Sequence, residues 1–387
     1  TKFESCARPI FEISERKPKA LRELNEKNFL ITHTCNQENN MSELKLNILP
    51  SPTWNWLRMN DTDYQMKKTD GYGSPSIVTT AGVSESDGIF PAEFDGGIGP
   101  DFSKRLDEDQ VHAEVFDINA DTTDPLKIAF DYDEESALAN RFVINVAAGK
   151  KATVIMNFAA MKSAGQYSVQ TSAVLNKDAE LTIVQVMRTS DEAVFLNDIG
   201  TEIADSAKFN LVQIALGGKN VFLGVKNHLS GVKSSIDMKL GYYLTGDNNL
   251  DVNYVASHTG KKTKCDIYAN GVLRDKAVKT FRGTIDFIKG CKGALGNELE
   301  DVLMMDKTVR NKTIPVILCA EEDVEGNHGA TIGKLAADLL FYLESRGMTE
   351  EAVYEMMARA RIDAVAASID DEETREQVGK YLDEFKR

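Results

Sequence analysis

The sequence predicts a mainly β protein: a short N-terminal segment, a β-helix core of stacked coils, and a C-terminal α-helical domain. Three observations carry that prediction. From about Val111 to Val316, short runs alternate apolar and polar residues, among them ATVIMNF, AELTIVQV, AKFNLVQIAL, SSIDMKL and NLDVNYVAS, separated by turns of Gly, Asn, Asp and Lys. The runs recur at a near-constant distance: Val154, Leu181, Phe209 and Ile236 are spaced by 27, 28 and 27 residues, and AELTIVQV matches AKFNLVQI in a Val-Gln pair. Beyond His328 the apolar period becomes helical. A β-sandwich also has many short strands but no reason to repeat at a fixed interval, whereas a coil stacked on copies of itself does.

The elements follow in order. Residues 1–40 begin without Met, carry nearly balanced charge and read as an upstream extension; Met41 looks like a natural start, followed by LPSPTWNWLRMN. Residues 41–110 form an N-terminal segment and linker, with a long loop expected over 69–104, where DGYGSPS and FDGGIGPDFS concentrate Gly, Ser, Pro and Asp. The β-helix core is placed at 111–326 and the helical domain at 327–387. In the latter, Leu335, Leu339, Leu340 and Leu343 share a face and Gly347 is a C-cap; Thr349 is an N-cap with Glu350 and Glu351 in the first turn. Val353, Met356, Met357, Ala360, Ala364 and Ala367 make the expected buried stripe of that helix, and a last helix capped by Asp370 or Asp371 carries Val378, Leu382 and Phe385.

Extending the apolar file by 29, 26 and 28 residues lands on Cys265, Cys291 and Cys319. These thiols either fill the interior as small hydrophobes or form a ladder able to hold sulfur or iron. GCKGALG around Cys291 is a place where an insertion would break the register.

Composition excludes several classes. With 45 Lys+Arg against 60 Asp+Glu, the formal charge of −15 repels nucleic acid and anionic lipid. No apolar run reaches the roughly 18 residues of a membrane span, and the first residues lack the order of a signal peptide, so a cytoplasmic location is expected. The cysteines, five and widely spread, argue for reduced thiols. No CxxC or HExxH motif offers a self-contained zinc site, no Gly-Lys pair sits in a phosphate-binding loop, and neither GxSxG nor GxGxxG occurs. The run Glu321, Glu322, Asp323, Glu325 reads as a solvated face or a weak cation site. His112, His228 and His258 read as structural. His328, flanked by Asn327 and Gly329 and close to Gly326, has small neighbours that leave its imidazole open. It is either a ligand, since neutral imidazole suits iron, or a turn histidine bonding local carbonyls.

FRGTIDFIKGCKGALGNE, then IPVILCAEEDVEGNHGATIGKL, then LLFYLESRGMTEEAV resembles the C-terminal half of the SufB/SufD family of iron–sulfur cluster assembly scaffolds, over about residues 281 to 360. The order and spacing of RG, HGAT, FYL and SRG carry the likeness. The resemblance implies a right-handed parallel β-helix and a C-terminal helical domain. It also implies work in a complex with the ABC-type ATPase SufC and a SufB subunit, with a transient iron–sulfur cluster at the subunit interface. SufB-type chains carry a catalytic cysteine where this sequence holds Glu300 or a close neighbour, and EHEAT where it holds NHGAT, so Gly329 replaces a glutamate. That pattern is SufD-like and implies a metal or cluster-ligand role for His328 alone. Cys319, nine residues earlier, is added from the residues themselves as a cofactor-binding candidate, with burial as its alternative. The expectation is therefore a non-catalytic scaffold with no nucleic acid or membrane partner, pairing with SufB or as a homodimer. A purely structural SufC adaptor and a β-helix carbohydrate enzyme are the rivals.

Overall fold

The computed structural model describes residues 41–53, 55–132, 135–160 and 164–384. The extension read at 1–40, Trp54 and Phe385 lie outside the described residues. The described residues from Glu43 onward make one compact unit.

Within it, successive strands alternate between two nine-stranded sheets, so each coil contributes one strand to each. One sheet runs through Leu126–Asp131, Lys151–Ala160, Glu180–Thr189, Lys208–Gly217, Ser235–Leu244, Lys264–Leu273, Ala294–Met304 and Val324–Gly333. The other runs through Ala113–Ile118, Ala137–Val146, Gln166–Leu175, Val194–Ile203, Asn220–Leu229, Asn249–His258, Val278–Phe287 and Arg310–Cys319. These pairings are all parallel, as a β-solenoid requires.

The sequence dictates this stacking in two ways. Alternating residues such as Leu181, Ile183, Phe209, Leu211, Ile236 and Met238 point into one shared core. The turns stack as well: Asp178, Ser206, Lys233 and Lys262 each take a left-handed conformation, with φ of 59°, 56°, 62° and 58°. Each donates its N–H to a carbonyl of the following coil, at Asp205, Val232, Lys261 and Lys292, over 2.8 to 2.9 Å. The backbone N–H groups of the turns are thereby paired from coil to coil.

Leu181, Phe209, Ile236 and Cys265 are register partners in one file, as expected. Val154 is not: Leu181 pairs with Ala152, and Val154 with Ile183. A slip of two residues keeps the same face in a strand, so the spacing alone could not expose it. The predicted thiol column also fails beyond Cys265, whose next partner is Gly296. The turn at Ile288–Gly293 lengthens that coil, leaving Cys291 buried between strands and Cys319 exposed at the end of a strand in the opposite sheet.

Both outer faces are covered. Leu46, Met66, Ile98, Phe102 and Leu106 pack on Leu196 and Phe222 of the second sheet. Helices cover Ile155, Val184, Val212, Ile214, Tyr243 and Val272 of the first. The region expected as a plain loop contains two short strands, Ser76–Val78 and Val83–Gly88, and helix α1 (Pro100–Glu108). Those strands pair antiparallel with the first strand of each sheet and close the N-terminal end of the coil stack.

Three further helices are α2 (Ala337–Glu344), α3 (Glu350–Ala366) and α4 (Glu372–Glu384). Gly347 takes φ 93° after α2. The Thr349 side chain accepts from Ala352 N at 3.2 Å, a cap worth about 1 kcal/mol. Asp371 caps α4 by accepting from Thr374 N at 3.0 Å. The buried stripe of α3 is only partly the expected one: Val353 is buried and Met357 packs against the core as read from the sequence. Tyr354, Ala358, Ile362, Val365 and Ala366 face the sheet, while Met356, Ala360, Ala364 and Ala367 are exposed. The larger apolar area of Tyr354, Ile362 and Val365 outweighs a file of alanines.

Candidate functional site

His328 belongs to the last strand, Val324–Gly333, and not to a turn. That strand pairs with Ala294–Met304 so that Glu298 is opposite His328 and Glu300 opposite Ala330. Ala294 and Val302 lie in the solenoid core, so the residues in step with them, Glu298 and Glu300 included, face the interior. His328 shares that face but is exposed, because among the described residues no strand pairs on the far side of Val324–Gly333. Gly326 keeps the coil thin here: a Cβ at that position would lie 2.9 Å from the Phe287 ring.

Directly beneath lies a charged interior. Lys279 and Glu300 form an ion pair whose side chains are 0% and 1% exposed. Lys279 Nζ also donates to Thr313 Oγ1 at 3.1 Å, and Thr313 donates in turn to the second oxygen of Glu300 at 2.7 Å. The Tyr242 hydroxyl donates to Glu300 over 3.3 Å. Glu300 thus accepts from three groups. Burial lowers the Lys279 pKa against the pull of that carboxylate. Glu298, 2% exposed, has no such company. Its Oε2 lacks a hydrogen-bond partner among the described residues. Burial first, and the charge of Glu300 second, push its pKa up to about 8, with Lys279 opposing. Gly283 makes room for it, since a Cβ there would lie 2.4 Å from the Glu298 carboxyl carbon.

Cys319 is exposed at the end of Arg310–Cys319, the last strand of the other sheet, and its Sγ donates to Glu321 O at 3.1 Å. Both site residues expected from the sequence therefore sit on the terminal coil, one on each sheet. The acidic run is tied to the turn of the preceding coil and to itself: Glu321 accepts from Gly290 N at 2.9 Å and from Glu322 N at 3.1 Å. Among the described residues no group of three or more His, Cys, Asp or Glu side chains could by itself hold a metal ion. Two other histidines are held within the scaffold. His258 is buried against Thr263 Oγ1 at 2.7 Å, with burial lowering its pKa to about 4, and His228 meets Asp95 at 3.1 Å. Glu298 and Lys279 escaped the sequence reading. The signal was available in NELEDVL, where strand alternation turns Glu298 and Glu300 to one face together.

A family profile described as SUF system FeS cluster assembly, SufBD core domain, matches residues 130–361. An iron-sulfur cluster assembly SufBD family protein of Mycobacterium bovis is 30% identical over 123 residues, covering 32% of this chain and 14% of that protein. The SufD protein of Bacillus subtilis is 33% identical over 94 residues, covering 24% of this chain and 22% of the relative. SufB of the same organism is 30% identical over 106 residues, covering 27% and 23%. The aligned part of this chain thus spans less than a quarter of the length of each of these three relatives. With the profile spanning more than half of its residues and the parallel solenoid it encodes, the chain belongs to the SufBD family of iron–sulfur cluster assembly proteins.

Proposed function

We propose that this chain is a non-catalytic scaffold subunit of a cytoplasmic SUF assembly complex, the SufD-like partner of a SufB-type chain. The observation that carries the reading is the difference between the two ends of the solenoid. The N-terminal end is closed by antiparallel strands, whereas the C-terminal end presents two ten-residue edge strands, Arg310–Cys319 and Val324–Gly333. Unpaired edges of that length are templates for another chain. A SufB-type β-helix, or a second copy of this one, would continue the stack there and bury His328.

The nascent iron–sulfur cluster is the cargo of this interface. His328 supplies a neutral imidazole ligand that can release it, Cys319 offers a thiolate from the other edge, and the remaining ligands come from the partner. Helix α2 has no buried residue and exposes Phe341 and Tyr342, 73% and 52% accessible, which suits a docking site for a SufC-type ATPase. In this reading residues 41–110 cover the core, 111–326 form the rigid body, and 327–387 carry the ATPase's movement to it.

The test is co-purification with SufB-type and SufC-type partners, followed by anaerobic addition of iron and sulfide with the cluster read by absorption. His328→Ala should leave the complex assembled while cluster yield falls. Normal yield after replacing both His328 and Cys319, with the complex lost on removal of the C-terminal helices, would instead leave a pure adaptor.

A further inference from the structure

The register of the last two strands in the first sheet places one more potential ligand at the terminal coil. We propose that Glu298 is a second ligand, beside His328, for ferrous iron arriving at the open end of the solenoid, so that the chain itself offers a nitrogen–oxygen pair. The inference rests on the reading of His328 as a ligand.

Glu298 and His328 are register partners on adjacent parallel strands, about 4.8 Å apart along the stack, with side chains on the same face. One ion can bridge ligands stacked at that spacing. The neighbouring carboxylate is already committed: Glu300 is held by Lys279, Thr313 and Tyr242. Glu298 is withdrawn from water, yet one of its oxygens accepts nothing among the described residues. Such a group is costly in the interior unless a cation or a proton balances it. On one side stands Gly283, whose missing side chain admits the carboxylate but supplies no donor from a side chain. On the other stands His328, which makes no hydrogen bond among the described residues and opens to the exterior. A cation entering from the exposed end meets the imidazole first and the buried carboxylate next. Imidazole with carboxylate is a donor set suited to ferrous iron and leaves coordination positions for sulfide and for ligands of a partner chain.

The experiment measures ferrous iron binding to the full chain by anaerobic equilibrium dialysis, without sulfide or partners, on wild type, His328→Ala and Glu298→Gln. Circular dichroism reports the fold of each. Glu298→Gln keeps the volume and removes the charge; we expect affinity to fall about tenfold or more, and His328→Ala to lose binding as well. Wild-type affinity in Glu298→Gln with loss in His328→Ala overturns the role of Glu298 and leaves that of His328 standing. Wild-type affinity in both variants overturns the two together. Should Glu298→Gln not fold, Glu298→Asp is measured in its place: withdrawing the carboxylate by one methylene weakens binding if Glu298 is a ligand, and unchanged affinity overturns the role.

Discussion

Lys279 and Glu300 neutralise one another inside the coil stack, on strands of opposite sheets, one coil below the exposed end. An ion pair this deep adds little net stability over an apolar pair, but removing one partner strands the other. Lys279→Met should therefore cost about 3 to 5 kcal/mol, because the Glu300 carboxylate keeps only neutral donors. Adding Glu300→Gln to that variant should recover much of the loss. Urea unfolding midpoints of the single and double variants check this; a Lys279→Met protein as stable as wild type would contradict the pairing.

Gly283 and Glu298 are a second coupled pair. A methyl group at residue 283 would overlap the carboxyl, and overpacking of this kind costs about 1 to 3 kcal/mol. Gly283→Ala should lower the thermal midpoint, and the penalty should shrink when Glu298→Ala vacates the space. Additive effects in the double-mutant cycle would show that the two sites do not touch.

Asp198 sets a pH dependence on the outer face of the second sheet. Its carboxylate is buried and accepts from Ile98 N at 2.9 Å and from Gln170 at 3.1 Å. Burial, aided by the charge of Asp95, raises its pKa from 3.8 to about 7 against those hydrogen bonds. The native state thus holds this proton more tightly than the unfolded chain. The contribution of Asp198 is most favourable below about pH 4, falls as pH rises, and is fully lost above about pH 7. Asp198→Asn keeps an acceptor for Ile98 and cannot ionise. Its stability relative to wild type should grow between pH 4 and pH 7 and level off above; a constant difference across that range would refute the assignment.

Legibility in the sequence followed how much of a residue's environment is local. Leu181, Phe209 and Ile236 were readable as one file because every coil repeats the same apolar demand. Val154 was misplaced by two residues because alternation fixes the face and not the register. Cys291 and Cys319 left the file because a single longer turn shifts everything after it. Thr349 and Asp371 were legible as caps, since a cap is satisfied within three residues of itself. The α3 face was legible only at Val353 and Met357, because the rest depends on the sheet beneath. His328 was singled out correctly as open, but its strand was hidden by the glycines around it, which lower strand propensity. Alternation in NELEDVL puts Glu298 and Glu300 on one face, but only the register sets Glu298 opposite His328.

The last prediction concerns α2. Phe341 is 73% exposed and no residue of this helix is buried, so nothing among the described residues covers its apolar side chains. If the helix is a docking surface for the proposed ATPase, Phe341→Asp should change the chain's own stability by no more than about 0.5 kcal/mol, as exposed substitutions do. The same change should weaken capture of a SufC-type partner severely, since a buried aromatic anchor commonly carries 2 kcal/mol or more of binding energy, roughly thirtyfold in affinity. Size-exclusion chromatography of the mixed proteins, alongside thermal unfolding of the chain alone, separates the two effects. Undiminished co-elution with an intact fold would remove α2 from the interface, and a large drop in stability would mean that Phe341 packs within the chain after all.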